Sequence, residues 1–350
     1  MKTVIPSLLT LGLGLSFTFS VGAQTVPAPI ASEIAGFASF DIAGASQAGA
    51  PQLSLKAIGL IRHVEYQGNA ESIRGKTLTD AQAVWTENQF NPPGATLATT
   101  THYLEVTTGP MAGAIFDIVR TDRERQTLTF AQVLPTKIGR NAGFRIRKHW
   151  TLASVFGAAN QAGLLPGDES TADLVSIYNG KSYDKYYYSN GVAGNGWRRV
   201  GGGTADLSGR QIYPDDGLAI TRRARSPVSP VITGVVKTDR TLIPVQKGMN
   251  LVANVYQAPL TLANSQLYTH SPATGVRAGE TAAKADHVQI YNGANYDTYY
   301  YQTSVRNGSG WRLGNDVHTD MGNTAIRVGS AFVIQRSTGG FNWMAPAPKP

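Results

Sequence analysis

Hydrophobic and polar positions alternate along this chain in short runs separated by turn residues. Between Ile34 and about Pro135, residues 37–42, 53–55, 64–66, 77–79, 103–106, 115–119 and 127–130 each read with a period of two. That period sends successive side chains to opposite faces, so each run predicts a half-buried strand. Gly68-Asn69, Gly75-Lys76 and Thr108-Gly109-Pro110-Met111-Ala112-Gly113 supply turns between them. Short strands at such spacing predict a small β-barrel or sandwich over residues 33–140.

Further on, the pattern repeats itself. Asp173-Leu174-Val175-Ser176-Ile177-Tyr178-Asn179-Gly180 returns 113 positions later as Asp286-His287-Val288-Gln289-Ile290-Tyr291-Asn292-Gly293. Each copy leads into Tyr-Asp-x-Tyr-Tyr-Tyr and then Gly-Trp-Arg. This is an internal duplication of one β unit. Thr151-Leu152-Ala153-Ser154 corresponds to Thr261-Leu262-Ala263-Asn264, and short helical turns are expected after each, at 155–159 and 265–269. Ser226-Pro227-Val228-Ser229-Pro230 punctuates the boundary. The predicted fold is therefore all-β: an N-terminal small β-barrel or sandwich domain, then two tandem related β-sandwich or jelly-roll-like repeats. The repeats span 141–226 and 227–337, with a C-terminal tail over 338–350.

Asn-Gly between two β runs marks a hairpin, because both residues tolerate positive φ. In the first hairpin Val175, Ile177, Asp184, Tyr186 and Tyr188 share one face; in the second, Val288, Ile290, Asp297, Tyr299 and Tyr301 do. The Val/Ile face is expected to be the core side. The opposite faces combine polar groups with Tyr178, Tyr183 and Tyr187 in one copy and Tyr291, Tyr296 and Tyr300 in the other. With Trp197 and Trp311 just downstream, these tyrosines are the candidate ligand-binding residues. Flat aromatic rings on a rigid sheet match the apolar face of a sugar ring. The bland alternative is cross-strand pairing or cover by the neighbouring repeat.

The N-terminus sets an expected compartment. Met1-Lys2 is basic, residues 4–19 are uncharged and apolar, and Ser20-Val21-Gly22-Ala23 places small residues before a cut at Gln24. That reads as a secretory signal peptide over 1–23, followed by a Pro/Ala tail over 24–32. Export to the periplasm, outer surface or medium is expected, with no membrane-spanning segment once the signal is removed. The chain has no Cys, which excludes disulfides, thiol catalysis and zinc–thiolate sites together. Charged residues make up 15%, low for a globular protein, and suit turn-rich β structure. The net charge of +8 is spread over small basic groups, none long enough for a nucleic-acid arm.

Candidate chemistry is sparse. Asp173, Asp286, Asp184, Asp297, Asp215, Asp216, Asp316 and Asp320 lie near turns, but no Asp-x-Asp-x-Asp-Gly loop exists. No cofactor is expected; a structural calcium is the alternative to turn-forming aspartates. The six His lack zinc-helix spacing, and no Gly-x-Ser-x-Gly elbow or phosphate loop is present. A glycosidase needs two facing carboxylates, for which Glu105, Asp117 and Asp216 are candidates.

The chain resembles an uncharacterised family of exported all-β proteins best known from verrucomicrobial-type bacteria. The resemblance rests on Gly75-Lys76-Thr77-Leu78-Thr79, on Trp85-Thr86-Glu87-Asn88-Gln89-Phe90, and on Tyr103-Leu104-Glu105-Val106 running through Gly113. It continues in Trp150-Thr151-Leu152, the first Tyr hairpin and Gly196-Trp197-Arg198-Arg199-Val200-Gly201. These are turn and packing signatures, and the resemblance brings no catalytic residue with it. The expectation is a non-catalytic envelope or extracellular protein that binds or scaffolds, with polysaccharide or another cell-envelope component as partner. Self-association through the aromatic faces is the first alternative, and a polysaccharide-active enzyme the second.

Overall fold

A computed structural model describes residues 33–348 apart from Val192, Ala193, Val305 and Asn307. The expected signal peptide and the 24–32 tail lie outside the described residues. The chain opens with β1 (Ala35–Ser39) and β2 (Gln52–Lys56). Seven strands follow: β3 (Val64–Asn69), β4 (Ser72–Arg74), β5 (Thr77–Thr79), β6 (His102–Val106), β7 (Ile115–Asp122), β8 (Thr127–Phe130) and β9 (Gly143–Lys148). Then come β10 (Trp150–Thr151), α1 (Leu152–Phe156), β11 (Leu174–Tyr178), β12 (Tyr183–Ser189), β13 (Gly196–Arg199), β14 (Gln211–Ile212), β15 (Leu218–Arg222) and β16 (Val231–Val235). The last third holds β17 (Thr241–Val245), β18 (Gly248–Ala253), β19 (Leu260–Thr261), β20 (His287–Tyr291), β21 (Tyr296–Gln302), β22 (Gly310–Leu313), β23 (Ala325–Ile326), β24 (Ala331–Arg336) and β25 (Phe341–Ala345). The protein is all-β, with 40% strand, 4% helix and no closed barrel among the described residues.

The pairing pattern enlarges the duplication. One five-stranded sheet runs β13-β12-β11-β15-β2, and another runs β22-β21-β20-β24-β18. Each has a two-stranded companion, β1-β16 or β17-β25, and a short ladder, β10-β14 or β19-β23. Every pair is antiparallel. The first unit therefore starts at β1 and ends at β16, and β2 plays the part of β18. The seven-stranded sheet, ordered β3-β9-β6-β7-β8-β5-β4, is inserted between β2 and β10 of that unit.

Several expectations change. The N-terminal domain is an open sheet inserted in the first repeat, and β1 and β2 belong to that repeat: apolar alternation identifies a strand but not its neighbour. Residues 231–235, expected in the second repeat, pair with β1, and Ile232 packs in the first unit's core. Phe341–Ala345, expected in a tail, form β25, with Phe341, Trp343 and Ala345 buried. The first helical turn is real but begins at Leu152, capped by the Thr151 hydroxyl accepting from the Ser154 N–H. Its counterpart stays non-helical: Asn264 replaces Ser154, and the same reciprocal Thr261/Asn264 bonds close a turn only.

Three apolar cores follow this plan, one per unit and one in the insertion. A fourth cluster joins the units: Leu55, Ala219, Leu251, Ala331 and Val333, flanked by Leu53, Tyr178, Tyr183 and Tyr291. The seam obeys a local pseudo-twofold. The Ala57 N–H donates to the Gly329 carbonyl at 3.0 Å, and its counterpart Ala253 donates to the Asp215 carbonyl at 3.0 Å. Lys56 bridges Ser330 as Val252 bridges Asp216. Each unit thus lends a strand end to the turn before the other's last sheet strand, the reciprocal arrangement of an isologous contact. Gly217 is needed at this seam: a Cβ there would lie 2.6 Å from Leu251 Cγ.

Candidate functional site

The hairpins form as their alternation predicts. Tyr178 pairs with Tyr183 and Tyr291 with Tyr296, across four-residue loops. In the first loop, Asn179 Oδ1 accepts from the N–H groups of Lys181 and Ser182; Asn292 does the same for Ala294 and Asn295. Val175, Ile177, Tyr186 and Tyr188 are buried on the core side of the first unit, and Val288 and Tyr299 are buried in the second.

The eight aromatic candidates separate into two groups. Trp197 and Trp311 are buried core residues, which corrects their assignment to the ligand-facing surface. The ladder explains it: Trp197 lies opposite Tyr188 and Trp311 opposite Tyr301, on the Val/Ile side. Tyr300 is also fully buried although it is on the outer face. A segment before the hairpin binds this Tyr-rich strand in both units, through the Gly167 N–H on the Tyr188 carbonyl and the Gly279 N–H on the Tyr301 carbonyl. In the second unit it is one residue longer, and its 3-10 turn Ala282–Lys284 packs on β21. Tyr187 is half-buried opposite Arg198.

The remaining four tyrosines gather at the seam. Tyr178 and Tyr183 have ring centroids 5.3 Å apart, and Tyr291 and Tyr296 5.2 Å. Burial, then the neighbouring Tyr296 and Tyr178, push the Tyr183 phenol above its ordinary pKa. Its hydroxyl reaches Met249 Sδ of the other unit at 3.7 Å. Tyr296 is the most open of the four, 42% exposed.

Beside this seam lies a groove of about 970 Å³. One wall is the outer strand β2, with Gln52, Ser54 and Lys56; the other is the second hairpin, with Tyr291, Asn292 and Asp297. Asp41, Ser229 and Arg327 complete its polar lining. The Gln52 side-chain amide donates to the Gly293 carbonyl at 3.0 Å, tying the two walls together. Ser229 donates to Asp41 at 2.6 Å, fixing that carboxylate. Burial holds the Lys56 ammonium below the ordinary lysine range, with Asp41 opposing that shift. Gln52, Lys56, Asp41 and Arg327 were not singled out by the sequence, since they come from segments that meet only once β2 joins the repeat.

The aspartates divide by role. Asp173 and Asp286 are buried and paired with Arg222 and Arg336. Asp184 pairs with Arg199 at 2.8 Å, and Asp297 accepts from the Asn292 amide at 3.2 Å. The Asp316 carboxylate accepts from the backbones of His318 and Thr319, and with the Thr319 side chain first among the causes its pKa falls to about 2. Asp320 accepts from the Gly322 N–H and lies 3.5 Å from Arg312. Among the described residues no three His, Asp or Glu side chains form a group that could hold a metal.

Of the three carboxylates considered for catalysis, none lines the groove: Glu105 and Asp117 lie on β6 and β7 of the inserted sheet, and Asp216 lies at the seam. Glu105 is buried between Arg147 and Lys237; burial opposes its charge, but those cations outweigh it and hold its pKa low. Asp117 accepts from the Tyr213 hydroxyl at 2.9 Å and contacts His149 Nε2 at 2.8 Å. These contacts join the insertion to the first unit, as does the Gln211 amide donating to Thr100 at 2.8 Å.

Asp215 and Asp216 make a sensitive pair at the seam. Burial pushes Asp215 up to about 6; burial and then the Asp215 charge push Asp216 up to about 7. A carboxyl whose pKa rises on folding binds its proton more tightly when folded. Its contribution therefore favours the folded state as pH falls from about 7 toward the ordinary 3.8. The double substitution Asp215→Asn/Asp216→Asn should raise the thermal midpoint at pH 7–8 and flatten its pH dependence in that window. Thermal melts of both proteins across pH 4–8 check this; parallel profiles would contradict it.

No helix among the described residues is long and apolar enough to cross a membrane. No family model, no curated protein and no solved structure matches this chain.

Proposed function

We propose that the chain is an exported, non-catalytic binding protein whose ligand is a glycan held in the groove between its two related units. The observation that carries this reading is the groove's lining. An aromatic ring, Tyr291, stands beside amide, hydroxyl, carboxylate and guanidinium groups from both units, in an open trough of about 970 Å³. Ligand sites typically offer about 300–1,000 Å³ with few convergent polar groups. A sugar ring has one apolar face and a rim of hydroxyls. Tyr291 takes the first, while Gln52, Asn292, Asp297 and Arg327 take the second. The trough is lined from both sides, so an extended oligosaccharide suits it better than a compact cofactor.

The two-unit plan supports this reading physically. The groove walls belong to five-stranded sheets locked across the seam, so little ordering is needed on binding. Calorimetric titration with oligosaccharides tests the assignment. Tyr291→Ala and Gln52→Ala should each weaken binding about tenfold, equivalent to about 1.4 kcal/mol. Tyr187→Ala, remote from the groove, should leave affinity unchanged. Equal effects from all three would place the ligand elsewhere.

A further inference from the structure

The outer edge of β1 carries a second inference, independent of the groove. In the β1-β16 ladder the Val236 N–H donates to the Ile34 carbonyl, and the Phe40 N–H to the Pro230 carbonyl. Residues 34, 36, 38 and 40 therefore face β16, while Ala35, Phe37 and Ser39 turn their N–H and C=O groups to the opposite edge. None of those three backbones has a hydrogen bond there among the described residues. The same three residues point their side chains away from the core: Phe37 is 79% exposed, and neighbouring Val231 is 63% exposed.

The corresponding strand of the second unit meets no such fate. On β17 the outward N–H of Leu242 donates to the Gly113 carbonyl of the inserted domain at 3.1 Å. Leu242 packs against that domain's core, and the Arg240 guanidinium donates to the Gly109 carbonyl at 2.6 Å. Gly113 makes this approach feasible: its φ is +91°, and a Cβ there would lie 2.6 Å from the Arg240 carbonyl. Pro244, the next outward residue, has no N–H to offer. Thus β17 is covered and blunted, whereas β1 has neither device. Natural sheets guard free edges with charge, proline or cover. Ala35-Gly36-Phe37-Ala38-Ser39 has no charge and no proline.

We propose that the β1 edge is a docking surface, and that its occupant is β1 of a second copy of this chain. The copies add antiparallel about a twofold axis at Phe37. Residue 37 then faces residue 37, and 35 faces 39, so the copies exchange about six N–H···O bonds. Opposite residues in such a pair share a face. The two Phe37 rings therefore meet beside Val231 of each copy and lose their exposure to water. An uncharged strand opposes its own copy without repulsion, and the contact closes at two subunits, because a twofold axis uses the edge once from each.

Sedimentation velocity of the purified protein over a wide concentration range tests the proposal. Wild type is expected to move from monomer to dimer with rising concentration. Phe37→Lys puts a charge at the axis, and Ser39→Pro removes an outward N–H as Pro244 does on β17. Each is expected to raise the dimer dissociation constant about tenfold or more. Both positions face solvent, and unchanged circular dichroism verifies the fold. A wild type that stays monomeric throughout overturns the proposal. So does a dimer that neither variant weakens, since its contact would lie elsewhere.

Discussion

Replacing Asp286 with alanine should lower the unfolding free energy by about 3–5 kcal/mol. Asp286 and Arg336 are 1% and 4% exposed and form a buried ion pair. The carboxylate also accepts from the Arg277 N–H at 2.7 Å, the Ser337 N–H at 2.8 Å and the Ser337 hydroxyl at 2.6 Å. Removing it leaves a guanidinium buried without its counter-charge and orphans two backbone donors, the costly way to break such a pair. Burial alone would raise the Asp286 pKa, but bonds from Ser337, Arg277 and Arg336 outweigh it and hold it below 3.8. A depressed folded pKa contributes stability that is present above about pH 4 and lost as pH falls through the folded value. The first unit repeats the device: Asp173 pairs with Arg222 and accepts from the N–H groups of Leu165 and Arg223. Asp173→Ala should therefore cost a similar amount. Denaturant midpoints at pH 7 measure both, and Asp286→Ala combined with Arg336→Leu should recover part of the loss.

Trp343→Ala should cost about 3–5 kcal/mol, the range for emptying a buried large aromatic site. Trp343 is fully buried, its indole N–H donates to the Ser265 carbonyl at 2.8 Å, and its ring lies edge-on to Phe332 with centroids 5.7 Å apart. The strand around it pairs with β17 over five residues, Thr241↔Ala345 to Val245↔Phe341. If residues 338–350 were the free tail that the Pro/Ala/Lys ending suggests, this substitution would leave the denaturation midpoint unchanged. A loss of several kcal/mol shows instead that the second unit is completed by the end of the chain.

What the sequence conveyed best was local. Asn179-Gly180 and Asn292-Gly293 marked the hairpins, and period-two alternation placed Val175, Ile177 and Val288 in the cores. It conveyed the tandem plan only in part. Gln52-Leu53-Ser54-Leu55-Lys56 and Gly248-Met249-Asn250-Leu251-Val252 hold equivalent places in their sheets, yet Leu55/Leu251 is their one identity. A strand's partners are chosen by three-dimensional packing, and an insertion of seven strands hides the relation further. The aromatic reading met the same limit. Trp197 follows Tyr188 by nine positions and Trp311 follows Tyr301 by ten, so spacing gives no common parity, and only the ladder register puts both on the core face. Tyr300 alternates outward yet is buried, where the segment that binds its strand is one residue longer than the one beside Tyr187 and forms the 3-10 turn Ala282–Lys284. The groove was illegible because its walls, near Gln52 and near Asn292, are 240 positions apart.

Affinity electrophoresis of the purified protein through neutral and acidic polysaccharides, at low and high salt, tests the central claim most directly. The glycan-groove account predicts retardation by a particular polymer that survives high salt and disappears in Tyr291→Ala. Stacking and neutral hydrogen bonds are screened little, whereas attraction of a +8 chain to a polyanion fades once the Debye length falls below about 10 Å. Retardation by acidic polymers alone, abolished by salt and unchanged in Tyr291→Ala, would contradict the account.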